Sequence, residues 1–348
     1  MSLILKSYDP SIQAAWDRFV FEECPDATFF HLSGWKRVVE AAYGQSCPYV
    51  YAERDGKIVG VLPLVHLRSR LFGNRLVSTG FSIGGGVAAL DDEAYAALDQ
   101  EAERLTRALK VESLESRRPA RLHVGQPGWV QKDGIYANFS RPLAASEEEC
   151  LKQIPRKQRA VVRKALDANI LTAKVETHAD RFFPLYAFSM RNMGTPVFGK
   201  RFFRLLMEEF AGHCDCLTTE HEGVAISSVL SFYFRGAVMP YYTGCLLQAR
   251  TLGANDFMYW SLMRHAAASG CVTFDFGRSK YGTGPFSFKK NWGFEPTPII
   301  HEYFLNGGDT PSEINPLNPK YRLFIETWKR LPLPIANLLG PLVIGQIG

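Results

Sequence analysis

One stretch, CLTTEHEGVAISSVLSFYFRGAVMPYYTG at residues 216–244, restricts the fold of this chain more than any other. Three runs of apolar, β-branched and aromatic residues are separated only by Glu222-Gly223 and Arg235-Gly236. A two-residue connector ending in glycine gives no room for a crossover, so each run must reverse into an antiparallel partner. The first half holds a shorter version, YVYAERDGKIVGVLPLV at 49–65, in which two β-rich runs flank Asp55-Gly56.

The flanking segments repeat as well. In the first half, helices are predicted around 10–20 and 33–43, the second with Ser33 as N-cap and Trp35, Val38, Val39 and Ala42 on one face. After the meander come a loop at Leu71–Asn74, Gly84, Gly85 and Gly86, a helix near 91–109 and a short strand near 112–116. In the second half, helices are predicted near 147–168, 178–192 and 200–213. Beyond the second meander, a helix runs from Asn255, its expected cap, to Ala268, is closed by Gly270, and leads into the strand VTFDF ending at Phe276. Each half thus reads helices, meander, glycine-containing turn, helix, strand, a weak repeat of half the chain. That is the element order of the GNAT fold; two unrelated α+β domains would show it too. The expected fold class is α/β (α+β), with two tandem GNAT-like domains, each a mostly antiparallel mixed sheet flanked by helices. Residues 1–145, completed by 300–348, form the first domain in this reading, and 146–299 the second.

A chain of 348 residues can bury cores of that size. The N-terminal MSLILKSYDPSIQ reaches Lys6 and Asp9 before any apolar run develops, so no signal peptide is read and a cytoplasmic location is expected. Seven cysteines, odd in number and without a CxxC pair, point to reduced buried thiols rather than disulfides or zinc. The histidines do not cluster at ligand spacings, and no metal site is expected. A net charge of +5 is too small to mark a nucleic-acid binder but suits an acidic or phosphorylated substrate. The tail has a helical centre near 320–330, then no charge from Leu331 to Gly348, where three prolines are expected to break any long helix. It is expected to pack over the body; the alternative is a peripheral membrane contact through 331–348, with Lys329 and Arg330 facing anionic headgroups at the inner face of the membrane.

Several runs resemble FemAB-related proteins, and more narrowly the subgroup associated with the PEP-CTERM/exosortase system. They are FFHLSGWKRVVE (29–40), ERDGKIVGVLPLVHLRSRLFGN (53–74), IPRKQRAVVRKA (154–165), RNMGTPVF (191–198), NDFMYW (255–260), FDFGRSKYGTGPFSFKKNWGFEP (274–296) and NPLNPKYRLFIETWKRLPLPIANLLGPL (315–342). The resemblance implies two GNAT-like domains with substrate between them. It also implies transfer of an amino acid from aminoacyl-tRNA to an amine on a nucleotide- or lipid-linked muropeptide. For the subgroup it implies a place in exopolysaccharide and envelope assembly.

The resemblance places Phe288 and Lys289 at a Phe-Lys step whose lysine touches the acyl carbonyl or the acceptor carboxylate. A cation there stabilises a developing oxyanion. From the residues alone, Lys289 and Lys290 read as solvated loop lysines. Asp275, between Phe274 and Phe276, must be paired or raised in pKa. It would orient Arg278 or Lys280, accept the amine proton, or form a structural ion pair. The glycines at 277, 282 and 284 suit a loop that approaches a ligand but lack the Gly-Lys-Ser/Thr of a P-loop. Arg191, and Lys36 or Arg37, match positions that the resemblance gives to the acceptor diphosphate; exposed surface charge is the plain alternative. Tyr241 and Tyr242 either line the acceptor cleft, as the resemblance implies, or form a core aromatic pair. Arg156, Arg159 and Arg163 share a helical face with the density of a polyanion site, or of an ordinary solvated face. Arg250 and Gly253 stand where an acyl-CoA pyrophosphate turn belongs, but with one glycine the match is poor. No catalytic triad is present. The donor, aminoacyl-tRNA or acyl-CoA, arrives activated, so the enzyme has to align a neutral amine for direct attack without a covalent intermediate. The competing class is a non-catalytic scaffold of an exopolysaccharide assembly system.

Overall fold

The computed structural model describes residues 2–69, 72–117, 120–307 and 319–348, the side chains of 319–322 excepted. The chain starts with β1 (Ile4–Ser7), α1 (Gln13–Arg18) and α2 (Ser33–Tyr43). Ser33 does not cap α2: its hydroxyl and its N–H both bind Asp17, and Leu32 takes the flanking position. Then come β2 (Val50–Arg54), β3 (Lys57–Leu62), β4 (Leu64–Ser69), β5 (Gly73–Ser78), β6 (Ala88–Ala89), α3 (Asp92–Ala108) and β7 (Ser113–Arg117). Strands β1, β2, β3 and β6 form one antiparallel sheet. The β4–β5 hairpin extends to β7, which runs parallel to β5 from Arg75↔Ser113 to Val77↔Glu115.

Strand β8 (Trp129–Pro142) leads to α4 (Glu147–Gln153), α5 (Arg156–Ala168), β9 (Leu171–Glu176), α6 (Phe182–Met193) and α7 (Lys200–Glu209). The single helix expected over 147–168 is two, because Pro155 removes an N–H and bars Ile154 from helical geometry. The meander β10 (Cys214–His221), β11 (Val224–Phe234) and β12 (Ala237–Cys245) follows. At its two turns, and at Asp55-Gly56, both central residues have positive φ, between 48° and 77°. That is the turn whose twist matches paired strands. Next are α8 (Gln248–Thr251), α9 (Ala254–Ala268), β13 (Thr273–Lys280) and α10 (Gly284–Asn291). The cap of α9 is Gly253, not Asn255. The segment carrying Phe288 and Lys289 is helical rather than an extended loop, because Thr283 caps it and Pro285 sits in its first turn. Here the sheet order is β8, β13, β12, β11, β10, β9, and β8 pairs with β13 through Tyr136–Pro142.

Strand β14 (Pro296–Leu305) pairs with β7 through His301–Leu305. The tail is α11 (Pro319–Arg330) and α12 (Leu333–Ile347). Helix α12 forms against the expectation of a broken segment: Pro334 lies in the first turn, where no intrahelical N–H is needed, so Pro341 is the interior proline. By contact, residues 2–134, 299–307 and 342–348 make one compact unit, and 135–298 with 319–341 make the second. The tail is shared between the two units, dividing between Pro341 and Leu342. The first unit packs α3 on β2 and β3, around Leu62, Leu98 and Leu114. In the second, α9 and α10 cover the sheet over Phe139, Val229, Trp260, Phe274 and Trp292.

Candidate active site

In the second unit, β12 and β13 run parallel but bond only at Ala237↔Thr273 and Val238↔Phe274. Beyond these pairs the strands separate. Strand β12 also carries one extra residue, Tyr241, against β11, and a bulged strand bends. On the other side, β13 has its own bulge between Asp275 and Gly277. The outcome is a wedge at the C-terminal ends of two parallel strands, where open α/β sheets collect ligands.

At the end of β12, among α6, α9 and α10, lies a cavity of about 630 Å³, a volume typical of small-molecule sites. Thr243 and Cys245 of β12, Asp256 and Tyr259 of α9 and Phe288 of α10 line it. Tyr259 forms its inner wall: its hydroxyl meets Thr243 Oγ1 at 3.0 Å, its ring lies 5.5 Å from that of Phe288, and burial pushes its pKa up to about 12. Helix α6 brings Ser189, Asn192 and Met193 to the same space. It does so because Gly244 lets its backbone press onto β12: a Cβ there would collide with Tyr186 N and Leu185 C. Ser189 Oγ then closes the strand end, accepting from Cys245 N at 2.8 Å and donating to Cys245 O at 3.0 Å.

Arg250 and Gly253 line the cavity, and Gly253 holds φ +66° as the cap of α9. The turn before them is spent internally. The N–H groups of Ala249, Arg250, Leu252 and Gly253 donate to Leu246, Leu247, Gln248 and Arg250 carbonyls. Asp256 stands in the first turn of α9, where a helix otherwise offers amides to an anion. Burial raises its pKa, against hydrogen bonds from Trp292 Nε1 at 3.0 Å and from Gln158 Nε2.

Lys289 is next to Phe288 in sequence, yet it does not line the cavity. Its ammonium donates to Phe276 O at 2.6 Å, Gly277 O at 3.0 Å and Arg278 O at 3.1 Å. The β13 bulge, with Gly277 at φ +66°, turns these three consecutive carbonyls onto one point. Burial lowers the Lys289 pKa to about 8; Asp275 opposes the shift and Arg278 adds to it. Asp275 Oδ1 holds the bulge by accepting from Gly277 N at 2.8 Å and Asn138 Nδ2 at 3.1 Å. Arg278 lies over the Tyr136 ring at 4.3 Å.

The other candidates are dispersed. Tyr242 is buried among Tyr186, Phe198 and Phe203, and Tyr241 packs on Phe232. Arg191, at the end of α6, reaches Lys329 O at 3.5 Å. Arg156 and Arg163 are exposed on α5, the helix whose Gln158 lines the cavity. Arg159 turns back to cap α4, donating to Ile154 O at 2.9 Å and Lys152 O at 3.1 Å. In the first unit, Lys36 Nζ donates to Glu40 Oε1 at 2.6 Å and Cys47 O at 2.7 Å, and Arg37 reaches Tyr8 Oη and Ser33 Oγ. Sequence reasoning missed Asp256, Tyr259, Gln158 and Ser189. Asp256 stands in the run NDFMYW, but an acid in a first helical turn carries no signal beyond helix-dipole complementarity.

Residues 149–290 match the family described as acetyltransferase (GNAT) domain. No curated protein sequence matches the chain. Among solved structures, FemX superposes with a TM-score of 0.67 at 16% identity, covering 93% of this chain and 100% of its own. The C-terminal domain of a putative lysylphosphatidylglycerol synthetase from Agrobacterium fabrum gives 0.55 at 11% identity, covering 85% and 92%. A tandem GNAT protein from the clavulanic acid biosynthesis pathway gives 0.53 at 13%, covering 89% and 100%. The chain thus has a GNAT-like α/β fold with a GNAT domain in its second half, which supports acyl transfer as its general chemistry.

Proposed function

We propose that the second unit transfers an acyl or aminoacyl group to an amine of an anionic, nucleotide- or lipid-linked cell-envelope precursor, of the peptidoglycan or exopolysaccharide class. The observation that carries the reading is the cavity where β12, parted from β13, meets the start of α9. The donor's acyl group enters the cavity against Tyr259 and Phe288. The amine attacks the activated carbonyl directly; as the C–N bond forms, the bond from that carbon to the carrier's ester oxygen breaks, and the carrier leaves as its free hydroxyl after taking up a proton. The proton the amine sheds passes to Asp256, whose burial makes it a better acceptor than a solvated carboxylate. Lys289 and Asp275 hold the β13 bulge that keeps the wedge open.

Aminoacyl-tRNA is the favoured donor over acyl-CoA. A pyrophosphate needs free amides at this turn, but α8 uses four of them internally and Asp256 occupies the next turn. A polyanionic carrier instead meets Arg156, Lys157, Arg163 and Lys164, exposed on α5, and Arg250 at the cavity. The similarity to FemX and to a putative lysylphosphatidylglycerol synthetase fits aminoacyl transfer. The test is mass spectrometry of envelope precursors from cells with the gene, without it, and with Asp256→Asn. A mass increment of one amino acid that disappears in both altered strains is expected. No increment, or one retained in Asp256→Asn, overturns the reading, and a host phenotype unchanged by Asp256→Asn points to scaffolding.

A further inference from the structure

Helix α12 has two apolar faces of different kinds. The inward one is made of small residues: Ala336 is 1% exposed, and a Cβ added at Gly340 would lie 2.6 Å from Val197 Cγ1. Pro341 sits on Gly199 in the same way. The outward face carries Ile335, Leu338 and Leu339, exposed by 43%, 72% and 39% at i, i+3 and i+4. Helix α11 repeats the division. Trp328 is buried and Ile325 fills the space beside Gly194, while Leu323 and Phe324 stand 76% and 40% exposed. A helix serving only to pack would carry polar residues on its open side. Here the open side is the bulky one, and bulky apolar side chains gathered on one open face point to an interaction site.

Charge selects the partner. Over the sequence from Pro319 to Gly348 there are four basic side chains, Lys320, Arg322, Lys329 and Arg330, and one acidic side chain, Glu326. Lys329 pairs with Glu326 at 2.8 Å, and Arg330 is exposed. Arg201, exposed on α7, lies two residues beyond the Gly199 that Pro341 covers. Branched aliphatic side chains without hydrogen-bonding groups, flanked by cations, complement acyl chains beneath anionic headgroups. A helix of 15 residues is too short to span a bilayer of about 30 Å, and among the described residues no helix is long and apolar enough to cross. It can lie along the interface.

We propose that the outward faces of α11 and α12 seat this protein on an anionic phospholipid bilayer, with α12 lying in the interfacial plane. The seat is independent of the transferase reading. Met193, which lines the cavity, precedes the Gly194 that rests on α11, so the cavity wall and the seat share one short segment.

The test is flotation of the full chain with vesicles of phosphatidylcholine alone and of phosphatidylcholine with phosphatidylglycerol. At low salt at least about tenfold more protein floats with the anionic vesicles, and molar salt reduces that fraction. Ile335→Asn with Leu338→Asn abolishes flotation at unchanged melting temperature. Should that variant unfold, Lys329→Glu with Arg330→Glu is read instead, and it removes the preference for anionic vesicles. No flotation on anionic vesicles, or flotation that survives both variants, overturns the proposal. So does a concentration-dependent dimer in sedimentation velocity that Ile335→Asn with Leu338→Asn dissolves, since it assigns the face to a second copy.

Discussion

Replacing Lys289 by Met tests whether this lysine is a buried cation bound to carbonyls. Met keeps most of the side-chain volume and removes the ammonium. Two opposing effects follow. Three carbonyls lose their donor, at about 1 kcal/mol each, a cost of about 3 kcal/mol. The variant also escapes the cost of a buried charge. The ordinary value of 10.5 and the value of about 8 held here give that cost as about 3 kcal/mol, at about 1.4 kcal/mol per pH unit. Near pH 7 the two nearly cancel, and Lys289→Met should unfold within about 1 kcal/mol of the parent. Between pH 8 and 10.5 the folded parent releases a proton that the unfolded chain still binds, so the parent gains stability with rising pH and the variant does not. By pH 10.5 the variant should be the weaker by about 3 kcal/mol. Urea unfolding followed by tryptophan fluorescence measures this, with Trp260 and Trp292 buried in the second unit. A difference between the two proteins that stays flat from pH 7 to 10.5, or shrinks, refutes the buried-ammonium argument.

Asp256→Asn should cut acyl transfer by about a hundredfold with little change in KM, while stability near pH 7 holds or rises because a buried charge is removed; transfer kinetics beside thermal melts separate the two. His123 makes a pH-dependent contribution in the first unit. Burial opposes its charge, but hydrogen bonds from both ring nitrogens to Asp99 at 2.6 Å and Glu302 at 2.8 Å outweigh it and raise its pKa to about 9. The stabilisation, about 3 kcal/mol at most, is complete below pH 6.5 and lost as pH climbs through 9. Thermal melts of His123→Gln should therefore differ from the parent at pH 6 and converge with it above pH 9. Gly244→Ala drives a methyl into the α6 backbone and should cost about 3 kcal/mol or more by urea titration, with loss of transfer activity.

Features decided over a few residues were legible in the order of amino acids. The three X-Gly pairs set the hairpins, because each requires two adjacent residues at positive φ and little else. Asp91 caps α3, as a short polar side chain before an apolar period does. The GNAT-like order of elements followed from these signals. The places where reading along the chain went astray also have local causes: Pro155 split one helix, and Thr283 with Pro285 began another where an extended loop was expected.

The site needed the folded chain. Nothing in the string YYTGC says that β12 leaves β13 after two pairs, since that depends on a strand reached only after two intervening helices. Arg156, Arg159 and Arg163 look alike by spacing, yet Arg159 is used to cap α4 while the other two stay exposed. Nothing in the residues beside Lys289 says what its ammonium will meet. That it meets three carbonyls is decided by a bulge in another element, at Gly277. Local propensity acts through a residue's immediate neighbours; the desolvation and pairing that give Asp256 and Lys289 their chemistry come from groups far along the chain.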